Sequence, residues 1–335
     1  PNQLSFWAWE QLEPGNPALI LNTEWRFSQL SQAGITRLHG ALQALQDRHE
    51  ALHTRFVRSP EEAQPRPQPT NSPLDFRTYD CSEGELELLL QAAYRTPFLL
   101  AEEAPFRCRL FTYPQGAHLL IQAHHVAADA WSIHILREEM VALLRGQELA
   151  PLKLTFSAYA RWLRAWLQGG QAQSMLEAWK TELASPRLAF RLSPPPAQPV
   201  ARWSSWALHL NAEFTAALRQ RSGQARCSLN AVILAAYGRA LQRFSGRDDL
   251  VVALPGACRH RTGFRHLVGP LFSLLPIRLR GTDQHFDSFL ASTSTALEAA
   301  LERQALPFLS LVEEWGPPRR PQEFPFRGAP LPFLP

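Results

Sequence analysis

The chain has 335 residues, 45% of them hydrophobic and 19% charged, with 34 Lys and Arg against 30 Asp and Glu and a formal net charge of +4. That length favours two lobes over one core, and the apolar content excludes an intrinsically disordered chain. The basic residues are nearly all arginine and lie scattered among acids, so no concentrated basic stripe marks a nucleic-acid-binding surface, although the balance suits an acidic protein partner.

Cys81, Cys108, Cys227 and Cys258 lie far apart with no C-x-x-C pair, which points to reduced thiols in a cytoplasmic protein rather than a zinc site or redox motif. No uninterrupted apolar run approaches the roughly 18 residues of a membrane span, and no charged segment followed by an apolar one opens the chain. A soluble protein that is not exported is expected. The first residue is Pro1, which suggests a piece of something longer.

In chain order, Ile35, Leu38, Leu42 and Leu45 predict a helix over Ala33 to Arg48, and Leu52 to Arg58 behind it has strand composition. Glu61 to Pro73, rich in proline and polar residues, reads as a surface loop. Cys108 to Tyr113 and Ala117 to Ala123, joined by Pro114-Gln115-Gly116, read as a β-hairpin. Val126 to Ala130 forms a loop into a helix over Trp131 to Arg145, with Gly146 as its C-terminal stop.

Phe156, Tyr159, Trp162 and Trp166 recur at helical spacing, and Met175 to Leu183 predicts a second helix; both read as core. Ser193 to Pro199 holds four prolines in seven residues and marks a lobe boundary. Beyond it a second α/β run is expected: a strand over Trp203 to Leu210, a helix over Phe214 to Arg221, and an apolar helix over Ser228 to Phe244 with Ser228 as N-cap. Strands over Leu250 to Leu254 and Leu271 to Leu279 follow, then a helix over Phe286 to Gln304. Gly316 to Pro335 is dominated by proline.

The chemistry collects at the end of the hairpin. Side chains alternate along a strand, so His125 shares a face with Leu119, Ile121 and Ala123, and His124 shares the other with His118, Leu120 and Gln122. A desolvated, neutral His125 would be able to accept or guide a proton, whereas the plain alternative is a satisfied core histidine. Asp129 reads equally well as the N-cap of the following helix. No H-E-x-x-H element or carboxylate cluster offers a third metal ligand, so no metal site is expected, and no G-x-S-x-G element supports a serine hydrolase.

The run His124-His125-Val126-Ala127-Ala128-Asp129-Ala130-Trp131-Ser132 resembles the H-H-x-x-x-D-G signature of the condensation domains of nonribosomal peptide synthetases. Leu4-Ser5-Phe6, followed by Glu10-Gln11-Leu12-Glu13-Pro14-Gly15, resembles that family's opening elements, and Arg48-His49-Glu50-Ala51-Leu52-His53-Thr54-Arg55-Phe56 its R-H-E-x-L-R-T-x-F motif. Tyr159-Ala160-Arg161-Trp162, Phe244-Ser245-Gly246-Arg247-Asp248-Asp249, Val268-Gly269 with Leu275-Pro276, and Gln304 with Leu306-Pro307-Phe308 and Leu311-Val312-Glu313 follow in the family's order. The resemblance runs from Leu4 to about Glu314.

It implies an α/β fold of two chloramphenicol-acetyltransferase-like lobes with a tunnel between them, here over residues 1–184 and 201–315. Residues 185–200 would be a proline-rich linker and 316–335 a proline-rich tail that leaves the second lobe incomplete. The implied reaction is amide formation between a donor acyl or peptidyl thioester and an acceptor aminoacyl thioester. Both ride on the phosphopantetheine of carrier proteins, with an adenylation domain adjacent and no cofactor or metal held by the domain itself. The unit would be monomeric within a larger chain.

His125 would be the catalytic residue, with His124, Asp129 and Arg259 in support; Arg259 would pair with Asp129 from the other lobe. Trp131, Ser132, Gly269 and Ser273 would line the tunnel. Ala130 in place of the signature glycine, His53, Ala158, Pro270, Ser273, Arg303 and Ala305 depart from the family pattern and mark a divergent member. Two other readings follow from the same resemblance: an inactive relic or carrier-docking module, and an O-acyltransferase.

Overall fold

A computed structural model describes residues 2–58, 61–62, 64–184, 209–281 and 285–315. Its contacts divide the chain into two compact units, Pro1–Ala165 with Arg259–Phe272 and Trp166–Cys258 with Ser273–Pro335. The expected linker at 185–200 and tail at 316–335 lie outside the described residues.

The first unit opens with α1 (Asn2–Leu12), β1 (Ile20–Phe27) and α2 (Gln32–Arg48), the last capped by the Ser31 hydroxyl on the Gly34 N–H. A short 3₁₀ turn over Glu50–His53 precedes β2 (Thr54–Val57), so the expected strand starts later than its composition implies. Within the expected loop, β3 (Arg66–Pro69) pairs antiparallel with β2. Pro67 and Pro69 sit opposite Phe56 and Thr54; prolines at alternate positions can turn their missing N–H away from the partner, which an edge strand tolerates.

Next come β4 (Asp75–Asp80), α3 (Glu83–Arg95) and the hairpin β5 (Phe106–Tyr113) with β6 (Gly116–His124), closed by a two-residue turn because Gly116 already pairs with Tyr113. The sheet order is β1-β6-β5-β4, antiparallel except between β4 and β5. Alternation along β6 decides what each face meets. Leu120 and Phe111 pack with Leu90 of α3, while Ile121 and Phe106 on the opposite face lie beside Leu42 and Leu45 of α2.

The hairpin leads into α4 (Ala130–Leu144), whose Leu136 lies on that second face. Its end is a Schellman arrangement: Gly146, at φ +74, gives its N–H to Leu143 O, and Gln147 gives its N–H to Ala142 O. The helix α5 (Phe156–Leu167) starts in this unit, with Phe156, Tyr159 and Leu163 buried.

The second unit holds α6 (Gly170–Glu182), α7 (Ala212–Ala225), α8 (Leu229–Ser245, capped by Ser228), β7 (Asp249–Gly256), β8 (Ser273–Arg280), α9 (Phe286–Glu302) and α10 (Phe308–Trp315). Its core joins Val252 and Leu254 of β7, Ile277 of β8, Leu234 of α8 and Phe289 of α9. Leu176, Trp179 and Leu183 belong to the same cluster, which places α6 here rather than in the lobe expected to end at 184. Residues 203–208 of one expected strand lie outside the described residues, and 209–210 carry no strand. Strand β8 begins at Ser273 rather than Leu271, because the N–H groups of Leu271 and Phe272 are already committed to Asp129.

Candidate active site around His125

The last residue of β6, His124, organises the turn behind it. Its carbonyl accepts the Ala127 N–H at 2.9 Å and the Ala128 N–H at 3.3 Å, and its ring Nδ1 accepts the Val126 N–H at 3.0 Å. The other ring nitrogen, Nε2, faces Glu10 Oε2 of α1 at 3.4 Å, with both side chains buried. His125 is held by its backbone, whose N–H donates to Leu19 O at 2.8 Å.

The His125 ring stacks on Phe6 of α1, with centroids 5.1 Å apart and planes 13° from parallel, and lies 5.7 Å from the ring of Phe272. Burial and the adjacent His124 pull its pKa down to about 4, against opposing pulls from Asp129 and the Ala128 backbone. It is therefore a neutral imidazole at pH 7, and its Nδ1 is buried without a hydrogen-bond partner.

Asp129 is filled to capacity. Oδ1 caps α4 by accepting the Ser132 N–H at 2.8 Å, and it also lies 2.7 Å from Ser132 Oγ and 2.9 Å from Arg259 Nη2. Oδ2 accepts from Arg259 Nη1 at 2.8 Å and from the N–H groups of Leu271 and Phe272 at 3.0 and 3.1 Å. The cap and the ion pair, alternatives on sequence grounds, are both present. Arg259 also reaches Leu267 O at 3.1 Å and belongs to the same compact unit as Asp129.

The carboxylate thus gathers the 267–272 segment, and with it the Phe272 ring beside His125. Gly269 is the tight point of that segment: a Cβ there would stand 2.1 Å from Cδ2 of Phe156. Its N–H donates to Ser132 Oγ at 3.0 Å and so is spent inside the network. Ser132, with no exposed surface, is likewise a strut. Trp131 is 44% exposed and its indole N–H donates to Arg265 O at 3.1 Å. Ser273 lies in the second unit, buried, where its hydroxyl accepts the Phe308 N–H at 2.8 Å.

Phe6 and Glu10 stand in the opening motifs but carry no site role on sequence grounds, and neither does Phe272. Phe6 and Glu10 lie four residues apart on α1, a one-face spacing that is legible, but nothing local says what that face meets. The Arg48-His49-Glu50 motif proves to be a clasp: Arg48 Nε and His49 Nε2 lie 3.3 and 2.7 Å from the Glu139 carboxylate of α4, and Glu50 accepts the Ser157 N–H of α5. Among the described residues, no group of three or more His, Cys, Asp or Glu is placed to hold a metal ion, and no helix is long and apolar enough to cross a membrane.

Residues 1–326 match the sequence profile of the Condensation domain. The chain is 31% identical over 300 residues to malpibaldin synthetase of Mortierella alpina, covering 85% of this chain and 5% of that one. It is 30% identical over 294 residues to tyrocidine synthase 2 of Brevibacillus parabrevis, covering 86% of this chain and 8% of that one. Among solved structures, the X-domain in a complex with OxyB from teicoplanin biosynthesis superposes with a TM-score of 0.83 at 23% identity, covering 97% of this chain and 74% of that one. The α/β fold is that of the condensation domains, and the chain belongs to the Condensation domain family.

Proposed function

We propose that this chain forms an amide bond between a donor acyl or peptidyl thioester and the amine of an acceptor aminoacyl thioester. Both substrates are carried on the phosphopantetheine arms of carrier proteins within a larger synthetase that includes an adenylation domain. The names of the two relatives, a synthetase and a synthase of which this chain spans 5% and 8%, support that reading.

The observation that carries it is the state of His125: a neutral, desolvated imidazole bracketed by Phe6 and Phe272 just past the end of β6. The acceptor amine attacks the thioester carbonyl, the C–N bond forms, the C–S bond breaks, and one amine proton ends on the departing thiol. A free α-amino group has a pKa of about 8, so part of it is already a nucleophile at pH 7. His125 orients that amine and takes up its proton as the tetrahedral intermediate forms, an effect worth roughly 10²- to 10⁴-fold. Alignment of two tethered reactants supplies the rest. His124, Asp129 and Arg259 support this by holding the turn and the segment that carries Phe272.

The test is intact-protein mass spectrometry of an acyl-loaded donor carrier mixed with an acceptor carrier bearing either an aminoacyl or a matched hydroxyacyl group. Amide product alone supports the proposal, and ester product alone assigns an O-acyltransferase. A second reading, a docking module without turnover, draws on the likeness to the X-domain bound to OxyB. Carrier binding with neither product would establish it.

A further inference from the structure

One face of α1 runs along the histidine pair. Asn2 Nδ2 donates to Pro270 O at 3.0 Å, Gln3 Nε2 donates to Val126 O at 3.1 Å, Phe6 stacks on His125, and Glu10 faces His124. These positions recur at three- and four-residue spacing, so they share one stripe of the helix. Glu10 ends that stripe, and its second oxygen is fixed by the Gly15 N–H at 2.8 Å.

The His124 ring has two nitrogens with two different duties. Nδ1 accepts the Val126 N–H, so it carries a lone pair, and the proton of the neutral ring must sit on Nε2, pointed at the Glu10 carboxylate. The other tautomer would set Nδ1–H against the Val126 N–H and strip the turn of one of the three N–H groups that His124 holds. That turn carries His125 on one side and Asp129 on the other. An acceptor oxygen here, rather than mere bulk, makes the Nε2–H form the preferred one.

We infer that Glu10 is a positioning residue for the site, acting through His124: by accepting the Nε2 proton it selects the tautomer that shapes the turn and aims His125. Its effect on turnover rests on the amide-forming reading above, whereas the tautomer assignment stands apart from it.

Long-range ¹⁵N–¹H correlation on the histidine-labelled chain reads the tautomer directly, with the His124 signals assigned through a His124→Asn variant. The expected result is Nε2–H for His124 in the native chain and in Glu10→Gln, whose amide oxygen accepts the same proton. That preference is lost in Glu10→Met, which keeps the length of the side chain without an acceptor. In the single-turnover amide assay Glu10→Met lowers the rate on the order of tenfold to a hundredfold with apparent substrate saturation unchanged, and Glu10→Gln restores most of it. Glu10→Asp, which withdraws the carboxylate by one methylene, is the second variant if Glu10→Met does not fold, with the same loss expected. Nδ1–H on His124 in the native chain, or an acceptor-less variant with native tautomer and native rate, overturns the inference. If the native chain makes no amide, the functional reading falls while the spectra still decide the assignment of Glu10.

Discussion

Asp129 and Arg259, 130 positions apart in the chain, meet in a two-pronged ion pair of 2.8 and 2.9 Å with neither side chain more than 3% exposed. Two buried charges of this kind compensate each other only while both are present, so removing one leaves the other stranded. Asp129→Ala and Arg259→Ala are each expected to lower unfolding free energy by about 3–5 kcal/mol. The Asp129 variant also loses the cap of α4, worth about 1 kcal/mol. The double variant should lose much less than the two losses added together. Arg259→Lys, lacking the planar fork, should not restore the native value. Urea denaturation of the four chains measures the cycle, and additive losses would count against the pair.

The depressed pKa of His125 predicts a specific acid sensitivity. Unfolded, the ring takes its proton near pH 6.5; folded, only near pH 4. Above pH 6.5 neither state is protonated and this residue adds no slope. Between the two values the unfolded chain holds one more proton, so stability falls as pH falls, and the loss is complete below about pH 4. The whole effect is on the order of 3 kcal/mol. Unfolding free energies of the native chain and of His125→Phe, compared from pH 7.5 to 4, should diverge in that window, with the native chain losing more. Parallel curves would contradict a neutral, desolvated His125.

Gly269 is predicted to tolerate no side chain. At φ +155, and with a Cβ placed 2.1 Å from the Phe156 ring, Gly269→Ala must displace either the ring or the segment that Asp129 holds. A loss of about 1–3 kcal/mol is expected. Phe156→Leu in the same chain should recover part of it, and thermal melts of the single and double variants provide the check.

Arg226, exposed and left-handed at φ +51 where α7 ends, is a site where glycine is the better residue. Arg226→Gly should raise stability by about 0.5–1 kcal/mol, whereas Arg226→Ala, which keeps the steric cost, should not. A higher melting temperature for the glycine variant alone is the expected outcome.

What the sequence made legible is local. The hairpin to His124, the helix from Trp131, its stop at Gly146 and the Ser228 cap all follow from periodicity and cap chemistry within a few residues. Other local signals were present at β1, where Leu21, Thr23, Trp25 and Phe27 alternate with polar residues, and at Ser82, whose capping box with Glu85 opens α3. By contrast, β3 hides behind two prolines, because its pairing depends on β2 rather than on its own propensity. The Asp129–Arg259 pair was reached through the family motif, since spacing alone cannot join residues so far apart. Phe6 and Glu10 stand in the opening motifs, yet nothing local assigns a role to them or to Phe272, because those roles exist only where α1 and the 267–272 segment meet the two histidines.

If His125 handles the proton of an amide-forming step, its loss must slow that step without disturbing the fold. Single-turnover conversion of an acyl-loaded donor carrier and an aminoacyl-loaded acceptor carrier, followed for the native chain and His125→Ala, tests it most directly. A rate loss of roughly 10²- to 10⁴-fold is expected, with the variant still folded and still binding both carriers. Native turnover by His125→Ala would contradict it.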